Sequence, residues 1–444
     1  MDVTPVELAV SFGKAENNWK NYECSPLQER LKAETRRFGS VIKWVALFEF
    51  ITIFLSIDFL IDAILSNLDS LPSSVLSTRP GVKSHISLIS DFRNRMVYPL
   101  VALFFGTGNQ TPHVSAAVIA RVFRDPSLAL FEYDPERLLS QTPQNIAFPD
   151  LEELYTRMQR QLSASGCVFH LGTRVSRVRR GTHGVEVQME AAPSTWRGGS
   201  SQTSGDRMSS PIGNPEESED ANALSRGSLV FDSIILACPA NVALQVLEDP
   251  SRAERSVLGG VEYFHDLTVT HTDDEYMRKH NELDERAVYF IKSYDERPDC
   301  CEMGFDLTGY QPMLQQARAK GHRVYQTIFL NRDDSKSWTL QQINPSKILD
   351  SAWWIAFSHT YKHFRRVVPW VWRIQGKRNT FYAGSWTLFN THDIAISSGL
   401  AAAEQLGAPY PFGENALALH TYKTVLMASH LSCCQPRHDS KKHR

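Results

Sequence analysis

The hydrophobic pattern changes from helical to strand-like about a third of the way along the chain. Residues 25 to about 70 repeat apolar positions at helical spacing, with Ser25 as a candidate N-cap and Pro26 in the first turn. "FPDLEELYTRMQRQLSASG" predicts an amphipathic helix that ends near Gly166. Alternating apolar and polar residues then predict paired strands in "CVFHLGTRVSRVRR" and "GVEVQME".

Further strands are predicted beyond this point. Residues 229 to 239, "LVFDSIILACP", form a nearly continuous apolar run, which is typical of a strand covered on both faces in an α/β core. Four alternating segments between residues 262 and 345 predict the antiparallel sheet of a substrate domain: "VEYFHDLTVTHT", "RAVYFIKSY", "CCEMGFDLT" and "HRVYQTIFLNR". Residues 191 to 228 are rich in Ser, Gly and Pro, so we expect a disordered insertion there.

Near the C-terminus, "TFYAGSWTLFNTHDIAISSGLAAAEQLG" predicts a strand, a turn at Gly384 and a helix from about Asp393 to Leu406. Glycine lets a ligand approach the backbone closely, and the start of a helix offers free N–H groups and a positive dipole end. Small residues such as Ser398 and Gly399 also let a helix lie tightly on a sheet. The spacing alone leaves a nucleotide contact and plain helix packing equally open.

These patterns divide the chain into eight segments. The segments are a strand and connector (1–24), a mainly helical substrate-domain region (25–150), two pieces of a cofactor-binding core (151–190 and 229–261), the insertion (191–228), the antiparallel-sheet substrate domain (262–350), a C-terminal cofactor-binding segment (351–412) and a C-terminal helix with a basic tail (413–444).

Composition narrows the function classes. The chain has 444 residues and is 42% hydrophobic, so it can form substantial cores. Its 47 basic and 49 acidic residues nearly cancel, so we expect no nucleic-acid partner. Seven cysteines without a Cys-x-x-Cys pair, and an N-terminus unlike a secretory signal, favour a reducing, cytoplasmic location. No metal-ligand spacing is present in the sequence, and the oligomeric state stays open.

Residues 41 to 65, "VIKWVALFEFITIFLSIDFLIDAIL", are apolar and long enough for a membrane span. Glu49, Asp58 and Asp62 would each cost roughly 2.5 to 3.5 kcal/mol near the centre of a bilayer. We therefore expect one or two buried helices here, with membrane contact as the alternative.

The run "YAGSWTLFNTHDIAISSGLAAAEQLG" resembles the C-terminal FAD motif of the flavin-containing amine oxidoreductase superfamily, particularly its bacterial and fungal branch of predicted NAD/FAD-binding proteins. In that branch an aromatic-Ala-Gly turn precedes a His-acidic pair and a Ser-Gly-x-x-Ala-Ala helix. "GCVFHLGTRVSRVRRGTHGVEV" and "FDSIILACPANVALQVL" are similar to other strands of the family. The resemblance implies an α/β fold: a Rossmann-like FAD-binding core and an α+β substrate domain.

The resemblance also implies the positions of the cofactor contacts. Gly384, Ser385 and the adjacent Trp386 would lie at the FAD diphosphate or ribityl chain, and Val175 would meet the adenine. The flavin ring would face the start of the following helix, at His392, Asp393, Ile394 and Ala395. Ile394 and Ala395 depart from the bacterial pattern, where an acid and a glycine are common.

One half of the expected FAD site is missing from the sequence. A dinucleotide-binding domain opens with a strand, G-x-G-x-x-G and a helix, and the first 105 residues hold only Gly13, Gly39 and Gly81. Gly106-x-Gly108 fails as a substitute because Thr111 replaces the third glycine, which favours a turn in the substrate domain. We expect an N-terminally shortened family member with an incomplete core; a variant with a rebuilt cofactor site is the alternative.

The substrate-facing candidates lie in "SAWWIAFSHTYKHFRRVVPWVW", residues 351 to 372. His359, Tyr361 and Trp354 are the catalytic candidates, because an aromatic wall with a proton acceptor would suit hydride removal; ordinary packed aromatics are the alternative. Two functions stay open. One is an FAD-dependent, amine oxidase-like oxidoreductase acting on a small organic molecule in secondary metabolism; the other is an inactive remnant or binding protein without flavin.

Overall fold

A computed structural model describes most of the chain, and the gaps lie mainly in the first 150 residues and between residues 193 and 227. The described residues are 4–7, 9–10, 26–48, 51, 53, 55–56, 93–124, 133–134, 138–139, 144–147, 150–182, 184–192, 228–281, 283, 287–294, 296–297 and 299–430. Most of the predicted insertion at 191–228, the middle and end of the apolar segment at 41–65 and the basic tail after residue 430 lie outside these residues.

The described residues form strands, α-helices and short 3-10 helices. The strands are β1 (Thr4–Glu7), β2 (Ala9–Val10), β3 (Tyr133–Asp134), β4 (Leu138–Leu139), β5 (Gln144–Ala147), β6 (Thr173–Gly181), β7 (Gly184–Ala191), β8 (Ser228–Phe231), β9 (Ile234–Leu236), β10 (Tyr263–His271), β11 (Ala287–Ser293), β12 (Cys301–Asp306), β13 (Tyr325–Phe329), β14 (Ile348–Phe357) and β15 (Thr380–Tyr382).

The α-helices are α1 (Pro26–Leu47), α2 (Tyr98–Phe105), α3 (Ala116–Arg124), α4 (Leu151–Ala164), α5 (Ala240–Val246), α6 (Arg252–Leu258), α7 (Asp274–His280), α8 (Leu307–Tyr310), α9 (Gln315–Ala319), α10 (Tyr361–Arg366), α11 (His392–Gln405) and α12 (Ala416–Ser429). Short 3-10 helices that matter below are Thr107–Asn109, Val368–Arg373 and Ser385–Thr387. No helix among the described residues is both long enough and apolar enough to cross a bilayer.

The chain forms two compact units, and each is built from two separate stretches. Unit 1 comprises residues 1–166 and 263–361, and unit 2 comprises residues 167–262 and 362–444. The last of the three divisions between the units falls after residue 361, beyond β14, whereas the sequence pattern placed a boundary at 351. Strand β14 belongs to the sheet of unit 1 because it pairs with β10 along nearly its whole length.

Unit 1 is organised around a six-stranded sheet in the order β14-β10-β13-β12-β11-β2. The four alternating segments between 262 and 345 supply β10 to β13, so the predicted antiparallel sheet is confirmed. One face buries Leu267, Phe290 and Phe329, and the other buries Tyr289, Met303 and Ile328 beneath α2. The four segments thus place apolar side chains on both faces of the sheet, and both faces are buried.

The Gly106–Gly108 segment is a turn in unit 1. It follows helix α2, not a strand, so the arrangement of a dinucleotide fingerprint is absent here. Gly108 has φ +63°, and a Cβ on it would lie 2.1 Å from the Phe264 ring. The glycine is therefore needed for the close contact with Phe264 of β10.

Unit 2 contains an antiparallel sheet β6-β7-β8 and a parallel pair β9-β15. The apolar run at 229–239 was predicted as one strand covered on both faces, and this prediction is wrong. Asp232 and Ser233 separate β8 from β9, and Val230 and Ile235 are 67% and 37% exposed. Among the described strands of unit 2, β15 alone is buried along its whole length, and α11 packs against it.

Candidate functional site

The turn after β15 requires glycine. Gly384 has φ +142° and ψ +160°, a conformation open essentially to glycine alone. A Cβ at this position would lie 2.9 Å from both Cδ1 and Nε1 of Trp386. The indole of Trp386 therefore lies against the bare Cα of Gly384.

A serine on α11 joins this turn to the helix. The Gly384 N–H donates to Oγ of Ser398 at 2.8 Å, and the Ser398 hydroxyl donates to the carbonyl of Ala395 at 2.8 Å. Thr387 Oγ1 donates to the Gly384 carbonyl at 2.9 Å. The sequence indicated Ser398 only as a small residue; its hydrogen bonds were not predicted. Because the Gly384 N–H is already used, it does not offer a donor to a ligand.

Trp386 carries an unsatisfied donor. The residue is 2% exposed, and its indole N–H has no hydrogen-bond acceptor among the described residues. Such a donor costs about 1 to 3 kcal/mol when it is left unpaired. The neighbouring His363 is also buried, and burial lowers its pKa to about 3 although hydrogen bonds with the backbone at Leu388 and Trp386 oppose the shift. The His363 ring is therefore neutral at ordinary pH.

Helix α11 begins at His392, in agreement with the predicted start near Asp393. Thr391 is extended, and its side chain makes no capping hydrogen bond. His392 and Asp393 are exposed, whereas Ile394 is buried. The first N–H groups of a helix lack intrahelical acceptors and carry a positive dipole end, so this exposed end suits an acceptor-rich group.

The small residues of α11 do not all serve close packing. Ser398, Ala401 and Ala402 are buried, as helix packing on a sheet predicts. A Cβ on Gly399 would meet nothing within 4 Å. Ala395 is partly exposed, and Ile396 is 52% exposed. Among the described residues, close helix packing therefore does not account for Gly399, and this side of α11 is open.

Val175, the predicted adenine contact, lies on β6 and is partly buried. It pairs with Met189 of β7, next to a bulge before Arg177. It therefore belongs to the antiparallel sheet of unit 2, and the strand that leads into Gly384 belongs to the parallel pair.

The three catalytic candidates lie in unit 1, at or near the end of β14. His359 is 1% exposed, and its ring centroid lies 4.6 Å from that of Phe105 and 5.5 Å from that of Phe357. Trp354 is 50% exposed, and Tyr361, the first residue of α10, is partly exposed. His359 is thus packed among aromatic rings, and Trp354 lies on an edge strand.

Asp266 is a titratable residue that sequence reasoning missed. It lies opposite Trp354 in the β10–β14 register, so the two side chains share a face of the sheet. Burial raises the pKa of Asp266 to about 6, although hydrogen bonds from the backbone of Asn331 and Gly108 oppose the shift. A carboxylate inside a strand has no motif, so only the tertiary contacts identify it.

The adjacent cysteines do not form a reactive site. Burial, together with the charges of Asp299 and Asp334, raises the pKa of the Cys300 thiol to about 12. Burial also raises the pKa of Cys301. Both thiols therefore stay protonated at ordinary pH, and the lowered pKa that a nucleophilic cysteine needs is absent from both.

Parts of unit 2 fit an FAD molecule. The exposed start of α11 can meet oxygen or nitrogen acceptors on such a ligand, whereas the Ser385 hydroxyl already donates to Oδ1 of Asn390 at 3.4 Å and the unpaired indole N–H of Trp386 is buried. In the turn after β15, however, the N–H of Gly384 already donates to Oγ of Ser398 at 2.8 Å. Of the contacts implied by the resemblance, the start of α11 is exposed, whereas the Gly384 N–H and the Ser385 hydroxyl already donate within the protein.

Comparison with known proteins finds similarity only at the level of structure. No protein-family model and no curated protein matches the chain. A CLA-producing fatty acid isomerase from P. acnes is 13% identical with a TM-score of 0.41, and the match covers 73% of this chain and 64% of that one. A cyclohexylamine oxidase from Brevibacterium oxydans IH-35A is 9% identical with a TM-score of 0.38, and the match covers 71% of this chain and 65% of that one.

A putrescine oxidase with redesigned cofactor binding is 9% identical with a TM-score of 0.42, and that match covers 86% of this chain and 75% of the oxidase. The chain spans less than two thirds of the length of the isomerase and of the cyclohexylamine oxidase. TM-scores this low do not assign a fold.

Proposed function

We propose that this protein is an FAD-dependent, amine oxidase-like oxidoreductase that removes hydride from a small organic molecule in secondary metabolism. The sequence of the β15–Gly384–α11 segment supports the proposal through its family resemblance. The observation that carries it is the buried indole N–H of Trp386, which lacks an acceptor among the described residues and lies against Gly384. An FAD molecule would supply that acceptor, and when bound it would supply the hydride-accepting chemistry.

In this proposal unit 2 provides an incomplete Rossmann-like core built on the β9-β15 pair. Ser385 and Trp386 bind the diphosphate or ribityl chain, and Gly384 holds the turn in place. The exposed first turn of α11, His392 to Ala395, orients the flavin ring by its N–H groups and dipole. Val175 provides an apolar contact for the adenine.

In unit 1, His359, Tyr361 and Trp354 are the proposed substrate-facing residues. His359 is held between Phe105 and Phe357, so its ring orientation is set by packing. A histidine held in this way can accept a proton from a substrate only when one of its two ring nitrogens faces the substrate. Replacing His359 by Gln should lower turnover and change its pH profile; turnover unchanged at every pH would remove the proton-acceptor role.

A second candidate function is a binding protein without flavin, and one observation favours it. The Gly384 N–H, which would otherwise be free for a diphosphate, donates to Ser398 at 2.8 Å within the protein. The turn is therefore closed on its own helix. In this alternative the small-molecule site of unit 1 would persist without redox chemistry.

Flavin titration of the purified full-length chain separates the two functions. We expect saturable, one-to-one FAD binding, measured as a visible flavin band that remains after desalting. Trp386→Phe should weaken FAD affinity roughly 10-fold or more, because one hydrogen bond to a charged group is lost. The control is Trp372→Phe, since Trp372 is exposed and its N–H already donates to Pro369. Folded protein that retains no flavin at saturating FAD would favour the flavin-free function.

A further inference from the structure

A pocket in unit 2, apart from the β15–Gly384–α11 segment, is lined by arginines. Its volume is about 570 Å³, within the range of small-molecule sites. It lies where the end of α6 meets α10 and the 3-10 helix Val368–Arg373. Its charged and aromatic lining residues are Arg255, Arg365, Arg366, Trp370 and Arg373.

The local sequence explains why the arginines face outwards here. Val257 and Leu258 of α6, Phe364 of α10 and Val368 and Val371 of the 3-10 helix are buried, so the charged residues between them point to solvent. A Cβ on Gly260 would lie 2.9 Å from the Ser256 carbonyl and 3.2 Å from Val367. The glycine thus allows the end of α6 to approach the segment after α10 closely, and the arginines of both are brought to one pocket.

The charge of this pocket is unbalanced. Its lining contains four arginines and no acidic residue. None of the four makes an ion pair with a carboxylate among the described residues, whereas the nearby Lys362 pairs with Glu262 at 3.9 Å. Positive charges around one concavity repel each other and attract anions. A guanidinium group can donate two parallel hydrogen bonds to two oxygens of one phosphate. The arginines therefore favour a phosphorylated ligand in particular.

An aromatic surface accompanies the arginines. Trp370 is 42% exposed at the pocket, and the Arg373 guanidinium carbon lies 5.6 Å from the centre of its ring. An exposed tryptophan beside several arginines can stack an aromatic base while the guanidinium groups bind phosphate. A phosphate ion alone would leave this surface unused.

We propose that the pocket formed by α6, α10 and the Val368–Arg373 turn is a nucleotide-binding site, in which Arg255, Arg365, Arg366 and Arg373 bind a nucleoside diphosphate and Trp370 stacks its base. No residue of the β15–Gly384–α11 segment lines this pocket. It needs no redox step and stands whether or not the chain binds FAD.

Isothermal titration of the full-length chain with ADP, pyrophosphate and adenosine tests the proposal. ADP should bind saturably and about tenfold or more tightly than pyrophosphate, because only ADP uses the stacking surface. Arg255→Gln should weaken ADP binding at least about tenfold. Arg252→Gln is the matched control: Arg252 is exposed on the same helix but does not line the pocket.

The tryptophans give a second matched pair. Trp370→Leu should remove the preference for ADP over pyrophosphate, while Trp372→Leu, exposed but outside the lining, should preserve it. The absence of saturable ADP binding would overturn the proposal, and so would equal losses in Arg255→Gln and Arg252→Gln. ADP binding that survives Arg255→Gln but disappears in Trp386→Phe would belong to the flavin turn and would also overturn it. Binding of duplex DNA with none of ADP would replace it by a nucleic-acid surface.

Discussion

At the scale of single residues, Gly384 and Ser398 decide the shape of the candidate cofactor turn. Gly384 provides a conformation that other residues avoid, and Ser398 fixes it through the Gly384 N–H. The glycine could be identified from the sequence, because a strand-to-helix turn with an aromatic-Ala-Gly motif has a recognisable pattern. The hydroxyl of Ser398 lies 14 residues further on, and only the packing of α11 on β15 shows its role.

Two glycine substitutions test this assignment. Gly384→Ala should lower the free energy of unfolding by about 1 to 3 kcal/mol, because of the unfavourable φ and the contact with the Trp386 indole. Gly399→Ala should leave it unchanged or raise it by up to about 1 kcal/mol, since the site is helical and open. Urea unfolding followed by circular dichroism measures both values. Equal effects at the two sites would contradict the geometry of the turn.

At the scale of elements, a buried ion cluster joins β6, α6 and β15 in unit 2. Arg180 Nη1 donates to Glu254 Oε1 at 2.5 Å, and the Tyr382 hydroxyl donates to the same oxygen at 2.7 Å. Asp249 also accepts from Arg180 and forms an ion pair with Arg378. Burial alone would raise the pKa of Glu254, but the hydrogen bonds from Arg180 and Tyr382 lower it to about 2.

Removing the charge of Glu254 tests how much this cluster holds the elements together. Glu254→Gln keeps the volume of the side chain but leaves the buried Arg180 guanidinium with Asp249 as its remaining carboxylate partner. The free energy of unfolding should therefore fall by about 3 kcal/mol. The control is Glu153→Gln on the exposed face of α4, where loss of the pair with Arg157 should cost at most about 0.5 kcal/mol. A loss below about 1 kcal/mol at Glu254, measured by urea unfolding, would show that the cluster adds little.

The elements themselves were predictable where the side-chain period was clear. Strands β10 to β13 alternate regularly, and α4 and α11 have helical spacing and recognisable ends. The run at 229–239 was misread because hydrophobicity alone does not show that Asp232 and Ser233 break it into β8 and β9. Which strand pairs with which, as in β9 with β15, depends on contacts between distant residues that no local pattern contains.

At the scale of the whole molecule, buried histidines control the pH dependence of stability. Burial lowers the pKa of His271 to about 4, of His363 to about 3 and of His430 to about 4. Each is neutral when folded and becomes protonated in the unfolded chain below its ordinary pKa of about 6.5. Each therefore adds stability above about pH 6.5 that is lost as the pH falls towards the folded pKa. Asp266 acts oppositely, because its raised pKa stabilises the protonated folded form below about pH 6.

Among the described residues, these three histidines against Asp266 predict a net loss of stability on acidification. Between about pH 6 and pH 4.5 each histidine should remove about 1.4 kcal/mol per pH unit, and Asp266 should return a similar amount. His430→Gln should reduce the slope of unfolding free energy against pH by the contribution of one histidine. His420→Gln, at an exposed position, should leave the slope unchanged. Urea unfolding at several pH values measures the slopes. Stability that rises on acidification through this range would contradict the assignment.

The sequence by itself determined the alternating strands of the unit 1 sheet, the helices α4 and α11 and the glycine turn between β15 and α11, because side-chain period and turn residues act locally. Tertiary structure alone decided the closure of that turn by Ser398, the unpaired donor of Trp386, the raised pKa of Asp266 and the four-arginine pocket. These features arise when residues far apart in the chain share one buried environment or one surface, and their energies depend on burial and distance, which no stretch of sequence specifies.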